Sequence, residues 1–151
     1  MDTEHVLIDK QSPAAYRAAI GVATAVNAGA NEAGLPRTLV ELINVRASQL
    51  NGCATCLEVH YRKATEAGVT PKQLATVSQW RETELFDARE QAALRLTEIT
   101  TTLPDHDTAE REYARARSVL TDDEVSAVIW VAIAINAFNR VSILSRHPVK
   151  P

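Results

Sequence analysis

The chain has 151 residues, enough for one hydrophobic core and the usual length of one domain. Aromatic residues make up only 5% of it, while alanine, leucine and valine are abundant, which favours closely packed helices over aromatic-rich strands. The formal net charge of −3 provides no excess of basic residues for nucleic acid. We therefore expect a single domain over residues 1–151 that does not bind nucleic acid.

Both the N-terminus and the longest apolar stretch indicate a cytoplasmic protein without membrane contact. Residues Met1 to His5 are acidic and polar, unlike a secretion signal. The stretch from Val125 to Phe138 is short for a bilayer span and contains polar residues. In the cytoplasm, two cysteines three positions apart are typical of catalysis or metal binding rather than of a structural staple.

In the first half of the chain, start and stop signals predict three helices. Ser12-Pro13 begins a helix that runs to about Ala28, and Gly34-Leu35-Pro36 precedes a helix that runs to about Leu50. Asn51-Gly52 predicts a turn, and a third helix follows from about Cys53 to Ala67. Gly68 then lies where a left-handed C-terminal cap is expected.

In the second half, capping signals predict four more helices. The first begins at Thr70-Pro71-Lys72-Gln73 and ends near Trp80, and the next begins at Asp87 and ends before Pro104. A third covers Thr108 to Leu120, and Thr121-Asp122-Asp123-Glu124 opens a long final helix to about Arg146. Because no long segment alternates apolar and polar residues, we expect an all-α fold of about seven helices.

The final helix is apolar nearly all round between Val125 and Ala137. Such a helix needs cover on several sides. Either it is a buried central helix, or part of its surface lies at the core of an oligomer; the sequence leaves both open. Trp80 and Trp130 are candidate anchors of a core or an interface.

The chemically informative residues are Cys53, Cys56 and His60, which fall on one helical face. If the helix begins near Cys53, Cys56 lies in its first turn, where unpaired backbone amides favour a thiolate. His60 can exchange protons near neutral pH, and a carboxylate such as Glu41 could orient it. These four residues supply a nucleophile, a resolving thiol and an acid–base pair.

Other interpretations of these residues remain open. Cys-x-x-Cys-x-x-x-His spacing also binds zinc, although a structural zinc site needs four ligands and the cluster shows three. The cysteines could instead be inert core residues, and Glu41 could be a solvated surface glutamate, although its apolar neighbours make burial credible. We expect no metal and no cofactor.

The segment resembles the AhpD-like alkylhydroperoxidase branch of the carboxymuconolactone decarboxylase superfamily. That family's signature is a glutamate followed a dozen residues on by Cys-x-x-Cys-x-x-x-His, and Glu41, Cys53, Cys56 and His60 match it. The resemblance extends from about residue 14 to 141. Its downstream part consists of Trp80, Leu85-Phe86, Glu90 before Ala92-Ala93-Leu94, and Ile135 to Arg140.

This resemblance implies an AhpD-like helical fold, a homo-oligomer (trimer or hexamer) and thiol-dependent peroxide reduction. By analogy, Cys56 is the peroxidatic cysteine, Cys53 resolves its sulfenic acid, and Glu41 and His60 relay protons. The partners are then a peroxide substrate and an external dithiol reductant.

One position departs from the family pattern. The best-known members carry a second histidine immediately before the later cysteine, where this chain has Thr55. Peroxidase turnover could therefore be weak, or the substrate could be a disulfide. The alternatives are thus a thiol–disulfide oxidoreductase without an important peroxide step, or a zinc-stabilised or redox-sensing interaction module.

Asn136, Asn139 and Arg140 form a polar group within the apolar final helix. They are candidates for capping and subunit contacts, or for positioning the active site or an acidic substrate group.

Overall fold

A computed structural model describes residues 3–151 of the chain. Over these residues the chain forms eight α-helices and one 3₁₀ helix, with no strand, which confirms the predicted all-α fold. The helices are α1 Ile8–Gln11, α2 Pro13–Glu32, α3 Arg37–Asn51, α4 Ala54–Ala67, α5 Pro71–Thr76, the 3₁₀ helix Val77–Glu82, α6 Ala88–Thr102, α7 His106–Arg117 and α8 Asp122–Ser145.

The helix boundaries differ from the predicted ones in a few places. The short α1 was not predicted, and α2 continues to Glu32. The helix expected to end near Trp80 divides at Thr76, where φ of −117° and ψ of 1° interrupt the α-helix. Helix α7 begins before Thr108, because the Asp105 side chain accepts a hydrogen bond from the Thr108 amide at 3.0 Å.

Side-chain caps fix the start of three helices as predicted. Reciprocal capping boxes join Thr70 to Gln73, Asp87 to Glu90 and Thr121 to Glu124. Each box satisfies backbone amides that the first helical turn leaves without partners. Ser12 also lies at the predicted N-cap position, but its side chain makes no cap hydrogen bond.

Helix α3 lies at the centre of the fold. It packs against α4, α6 and α8 and contributes the fully buried side chains of Leu42 and Ile43. The same helix also buries Glu41, Asn44 and Ser48, which are polar. Because buried polar groups need partners, these three residues indicate where the interior carries polar interactions.

Helix α8 packs against α2, α3 and α6 but keeps part of its apolar surface exposed. Trp130 is 50% exposed, so it is not a core anchor, whereas Trp80 is 2% exposed. An open groove of about 540 Å³ between α2 and α8 is lined by Val22, Val26 and Trp130 among others. The homo-oligomer therefore stays a prediction, with an exposed apolar face available for it.

Helix α8 extends beyond the apolar stretch recognised in the sequence. By length and composition alone, its 24 residues could cross a membrane, with a mean hydropathy of 1.7 over an 18-residue window. The core helix of a globular protein passes the same criterion, and α8 packs against six other helices, most extensively against α2, α3 and α6.

Candidate functional site

A tight turn between α3 and α4 places the two cysteines. Gly52 caps α3 in the left-handed region with φ of +69°, which glycine adopts without a steric penalty. The Cys53 amide then donates to the Ser48 carbonyl oxygen at 3.0 Å. Cys53 thereby becomes the N-cap of α4, and it forms a disulfide with Cys56 across a Cα–Cα distance of 5.3 Å.

Helix α8 holds this turn through a network of amide side chains. Asn51 Nδ2 donates to Asn136 Oδ1 at 2.8 Å and to Asn139 Oδ1 at 2.9 Å. Asn139, which is fully buried, in turn donates to Ser48 Oγ at 3.1 Å. The polar group within the apolar final helix therefore fixes the scaffold of the cysteine turn.

Both cysteines are shielded from solvent, but not equally. Cys53 is 2% exposed and Cys56 is 7% exposed. The amide of Cys56 donates to Cys53 Sγ at 3.3 Å, so an amide of the first helical turn reaches the sulfur of Cys53. Cys56 itself lies in the first turn of α4, as the sequence predicted, so both sulfurs are close to amides of this turn.

Glu41 and His60 meet across the α3–α4 interface. His60 Nδ1 lies 2.7 Å from Glu41 Oε2, and the Glu41 side chain is fully buried, as its apolar neighbours suggested. An ionised carboxylate only accepts hydrogen bonds, so Nδ1 of His60 donates to Glu41, which leaves Nε2 as the ring nitrogen that can exchange a proton with another group. This is the arrangement that orients a histidine for proton transfer.

Two further side chains complete the environment of Glu41. Arg37 Nη2 donates to Glu41 Oε1, and Asn44 Nδ2 donates to Oε2 at 3.3 Å. Burial raises the pKa of Glu41, but the hydrogen bond and charge of His60, the charge of Arg37 and the Asn44 hydrogen bond together hold this pKa below its ordinary value. Glu41 is therefore a carboxylate at neutral pH.

Arg37 and Asn44 were absent from the residues that the sequence predicted for the site. Their spacing was a usable signal, because Arg37 lies four residues before Glu41 and Asn44 three residues after it on one helix. A buried glutamate requires such partners. The prediction that Glu41 is buried therefore also predicts hydrogen-bond donors one helical turn away from it.

Thr55, which stands where the best-known family members have histidine, is hydrogen-bonded to the C-terminal segment. Its hydroxyl donates to the His147 carbonyl oxygen at 2.6 Å. The His147 ring lies 3.0 Å from the buried Asp9, and this contact lowers the Asp9 pKa against the opposing effect of burial. Helix α1 and the C-terminal segment thus meet beside the cysteine turn.

Across residues 3–151, no group of three or more His, Cys, Asp or Glu side chains is arranged to hold a metal ion. Glu41, Cys53, Cys56 and His60 lie on the adjoining parts of α3 and α4, so the fold brings a cysteine pair next to a histidine–carboxylate pair.

Comparison with known proteins identifies a family and a relative of this chain. The sequence profile of the carboxymuconolactone decarboxylase family matches residues 13–98, more than half of the chain. The chain is 32% identical over 112 residues to the uncharacterised protein YdfG of Bacillus subtilis (strain 168), covering 74% of this chain and 76% of YdfG.

A solved structure extends the comparison to nearly the whole fold. A protein of unknown function from Agrobacterium tumefaciens, described as a candidate antioxidant defence protein AhpD, matches with a TM-score of 0.85 and 27% sequence identity. The match covers 98% of this chain and 100% of that one. The chain therefore belongs to the carboxymuconolactone decarboxylase family, in its AhpD-like branch.

Proposed function

We propose that this chain is a thiol-dependent peroxidase that reduces peroxides through Cys56 and Cys53. The observation that carries the proposal is a disulfide-forming cysteine pair one helical turn from a histidine, whose Nδ1 lies 2.7 Å from a buried carboxylate. These groups supply a nucleophile, a second thiol and a proton relay. The family and the Agrobacterium structure support an antioxidant role.

In the first step, the Cys56 thiolate attacks one oxygen of the peroxide bond. A sulfur–oxygen bond forms while the oxygen–oxygen bond breaks, so two electrons pass from sulfur to the peroxide. His60 takes the thiol proton on Nε2 and gives it to the leaving oxygen, which departs as an alcohol or as water. Cys56 is left as a sulfenic acid.

In the second step, the Cys53 thiol attacks the sulfur of this sulfenic acid. A disulfide forms, the sulfur–oxygen bond breaks, and the hydroxyl leaves with the Cys53 proton as water. The product is the Cys53–Cys56 disulfide. An external dithiol then exchanges with it, gives up two electrons and leaves as its own disulfide.

We assign the peroxide-reacting role to Cys56 because it is the more exposed of the two cysteines and lies one turn before His60. Cys53 is more buried and is placed to resolve. The amide contact to Cys53 Sγ favours the reverse assignment, because it would stabilise a thiolate on Cys53. The two single-cysteine variants distinguish these assignments.

A thiol–disulfide oxidoreductase is the second candidate, and Thr55 is the observation that favours it. The Thr55 hydroxyl is engaged with the His147 carbonyl oxygen and supplies no titratable group where the best-known family members have histidine. Disulfide exchange needs only the cysteine pair and a proton carrier.

The proposed cycle requires a peroxide and an external dithiol as partners, and no cofactor. The cytoplasmic location and the homo-oligomer are part of the same proposal. The exposed apolar face of α2 and α8 supports self-association.

The test is mass spectrometry of the reduced protein after one equivalent of peroxide, with a dimedone-type probe present. We expect Cys53→Ser to react once and to carry the probe on Cys56, because its sulfenic acid cannot be resolved. Cys56→Ser should not react, and the unmodified chain should end as the disulfide.

Two results would contradict the proposal in different ways. If the probe is found on Cys53 in Cys56→Ser and never on Cys56, the two roles are reversed. If neither variant is oxidised faster than a free peptide thiol, disulfide exchange replaces peroxide reduction as the function.

A further inference from the structure

A pocket of about 210 Å³ adjoins the proton relay on the side of α2 and α8. His60 and Asn44, both bonded to Glu41, form part of its lining. This volume corresponds to roughly seven waters. It is smaller than the usual pocket for a drug-sized ligand and suits a small organic molecule.

One wall of the pocket is apolar. It consists of Val131, Ala134, Ile135 and Phe138, which are spaced at three and four residues along one face of α8. Val26 of α2 adds to it. This wall can take up a hydrocarbon group, so the substrate that it fits is an organic molecule rather than hydrogen peroxide.

The polar side of the pocket carries two cations, and they are not equivalent. Arg37 is paired with Glu41, so its charge is already balanced. The acidic residues of α4, Glu58 and Glu66, both pair with Arg62. Lys63 lines the pocket and makes no salt bridge to any residue in the described range 3–151.

Lys63 also has a defined position relative to the reacting sulfur. Cys56, His60 and Lys63 follow one another at four and three residues, so they lie on one face of α4. Seven residues of helix separate Cys56 from Lys63, a rise of about 10 Å. A molecule lying along this face can have one end at the ammonium and the other near the sulfur.

We propose that the pocket binds an organic hydroperoxide that carries a carboxylate, with Lys63 holding the carboxylate and the α8 wall holding the hydrocarbon body. The proposal rests on the peroxidase function and names its substrate class. The peroxide group then extends past His60 towards Cys56. Lys63 is a substrate-binding residue in this arrangement and takes no part in the proton relay.

A matched pair of hydroperoxides tests the kinetic consequence. Cumene hydroperoxide is neutral, and 4-(2-hydroperoxypropan-2-yl)benzoic acid adds a carboxylate across the ring. We expect kcat/KM to favour the acid, and Lys63→Met to lower the ratio of the two kcat/KM values by about 1.5- to fivefold, the usual effect of one exposed ion pair.

The controls use the same chemistry at other positions. Lys72→Met removes an exposed charge on α5 and should leave the ratio unchanged. Lys63→Arg keeps the charge and should restore most of it. Added salt should reduce the preference for the acid, because the ion pair is reached by solvent. An unchanged ratio in Lys63→Met overturns the proposed substrate class while leaving the peroxidase function intact.

A binding measurement separates this inference from the function on which it rests. 4-Isopropylbenzoate has the same body and carboxylate but no peroxide, so calorimetry can follow its binding whether or not the chain reduces peroxides. Weaker binding to Lys63→Met than to Lys72→Met supports the carboxylate site. Equal binding to both variants, or no binding to the unmodified protein, overturns it.

Discussion

Glu41 and Glu98 are two carboxylates that the fold removes from water, and they lie on α3 and α6, which pack against each other. The Glu41 side chain is fully buried and that of Glu98 is 15% exposed. For each, burial raises the pKa, but hydrogen bonds and nearby positive charges lower it by more. Both carboxylates therefore have a pKa below the ordinary value. By charge and burial alone, the two sites look alike.

Their partners differ in kind. Glu98 Oε1 accepts from Arg46 at 3.0 Å and from Trp80 Nε1 at 2.9 Å, and Oε2 accepts from Arg81 at 2.7 Å. Arg81 also stacks on the Trp80 ring at 4.1 Å. These partners are arginine and tryptophan side chains, which donate hydrogen bonds and accept none.

Glu41, in contrast, bonds to a histidine, a side chain that can both accept and donate a proton, and this histidine adjoins a cysteine pair. A buried carboxylate with a lowered pKa is therefore not by itself a sign of catalysis. The titratable partner and the nearby nucleophile distinguish a candidate relay from a structural cluster.

The largest expected difference between the two regions is in activity. His60→Ala and Glu41→Gln should slow peroxide reduction by about ten- to a thousandfold, because they remove or misorient the proton carrier. Glu98→Gln, which replaces the carboxylate without changing its size, should stay within about twofold. The measurement is the first-turnover rate on reduced protein, with circular dichroism to verify folding. Loss of activity in folded Glu98→Gln equal to that in Glu41→Gln would remove the distinction.

A smaller effect should appear in stability, and here Glu98 is the sensitive site. Glu98→Gln leaves Arg46 without a carboxylate and leaves Arg81 with only its 3.3 Å contact to Glu112. It should lower the free energy of unfolding by about 1–3 kcal/mol. The exposed Glu66→Gln, which loses one 3.8 Å contact to Arg62, should change it by less than about 0.5 kcal/mol. Urea unfolding measures both. Equal values for the two variants would show that the Glu98 cluster is not a stabilising element.

The smallest effect is a shared response to acid. Because the pKa of each carboxylate is lower in the folded chain than its ordinary value of 4.5, each favours folding above that pH. This contribution is lost as the pH falls below 4.5 through the lowered values of the folded state. Urea unfolding between pH 7 and pH 3 should show a decline on the acid side that is shallower in Glu98→Gln. Stability that rises on acidification would contradict the pKa directions.

Much of the helical framework followed from the sequence because helix caps act within one turn. The boxes at Thr70, Asp87 and Thr121 each involve a residue three positions further on, so their outcome did not depend on the rest of the fold. The relative positions of Cys53, Cys56 and His60 could be predicted for the same reason, since one helix and its N-cap carry all three.

The tertiary structure alone decided the contacts between distant segments. Glu41 meets His60 because α3 packs on α4, and Asn51 meets Asn139 of α8 across 88 positions. Thr55 meets His147 because the C-terminus returns to the cysteine turn. Spacing within one helix fixes a face, but only packing selects which faces meet. The exposure of Trp130 and the position of the Lys63 ammonium at the pocket both follow from how the helices pack.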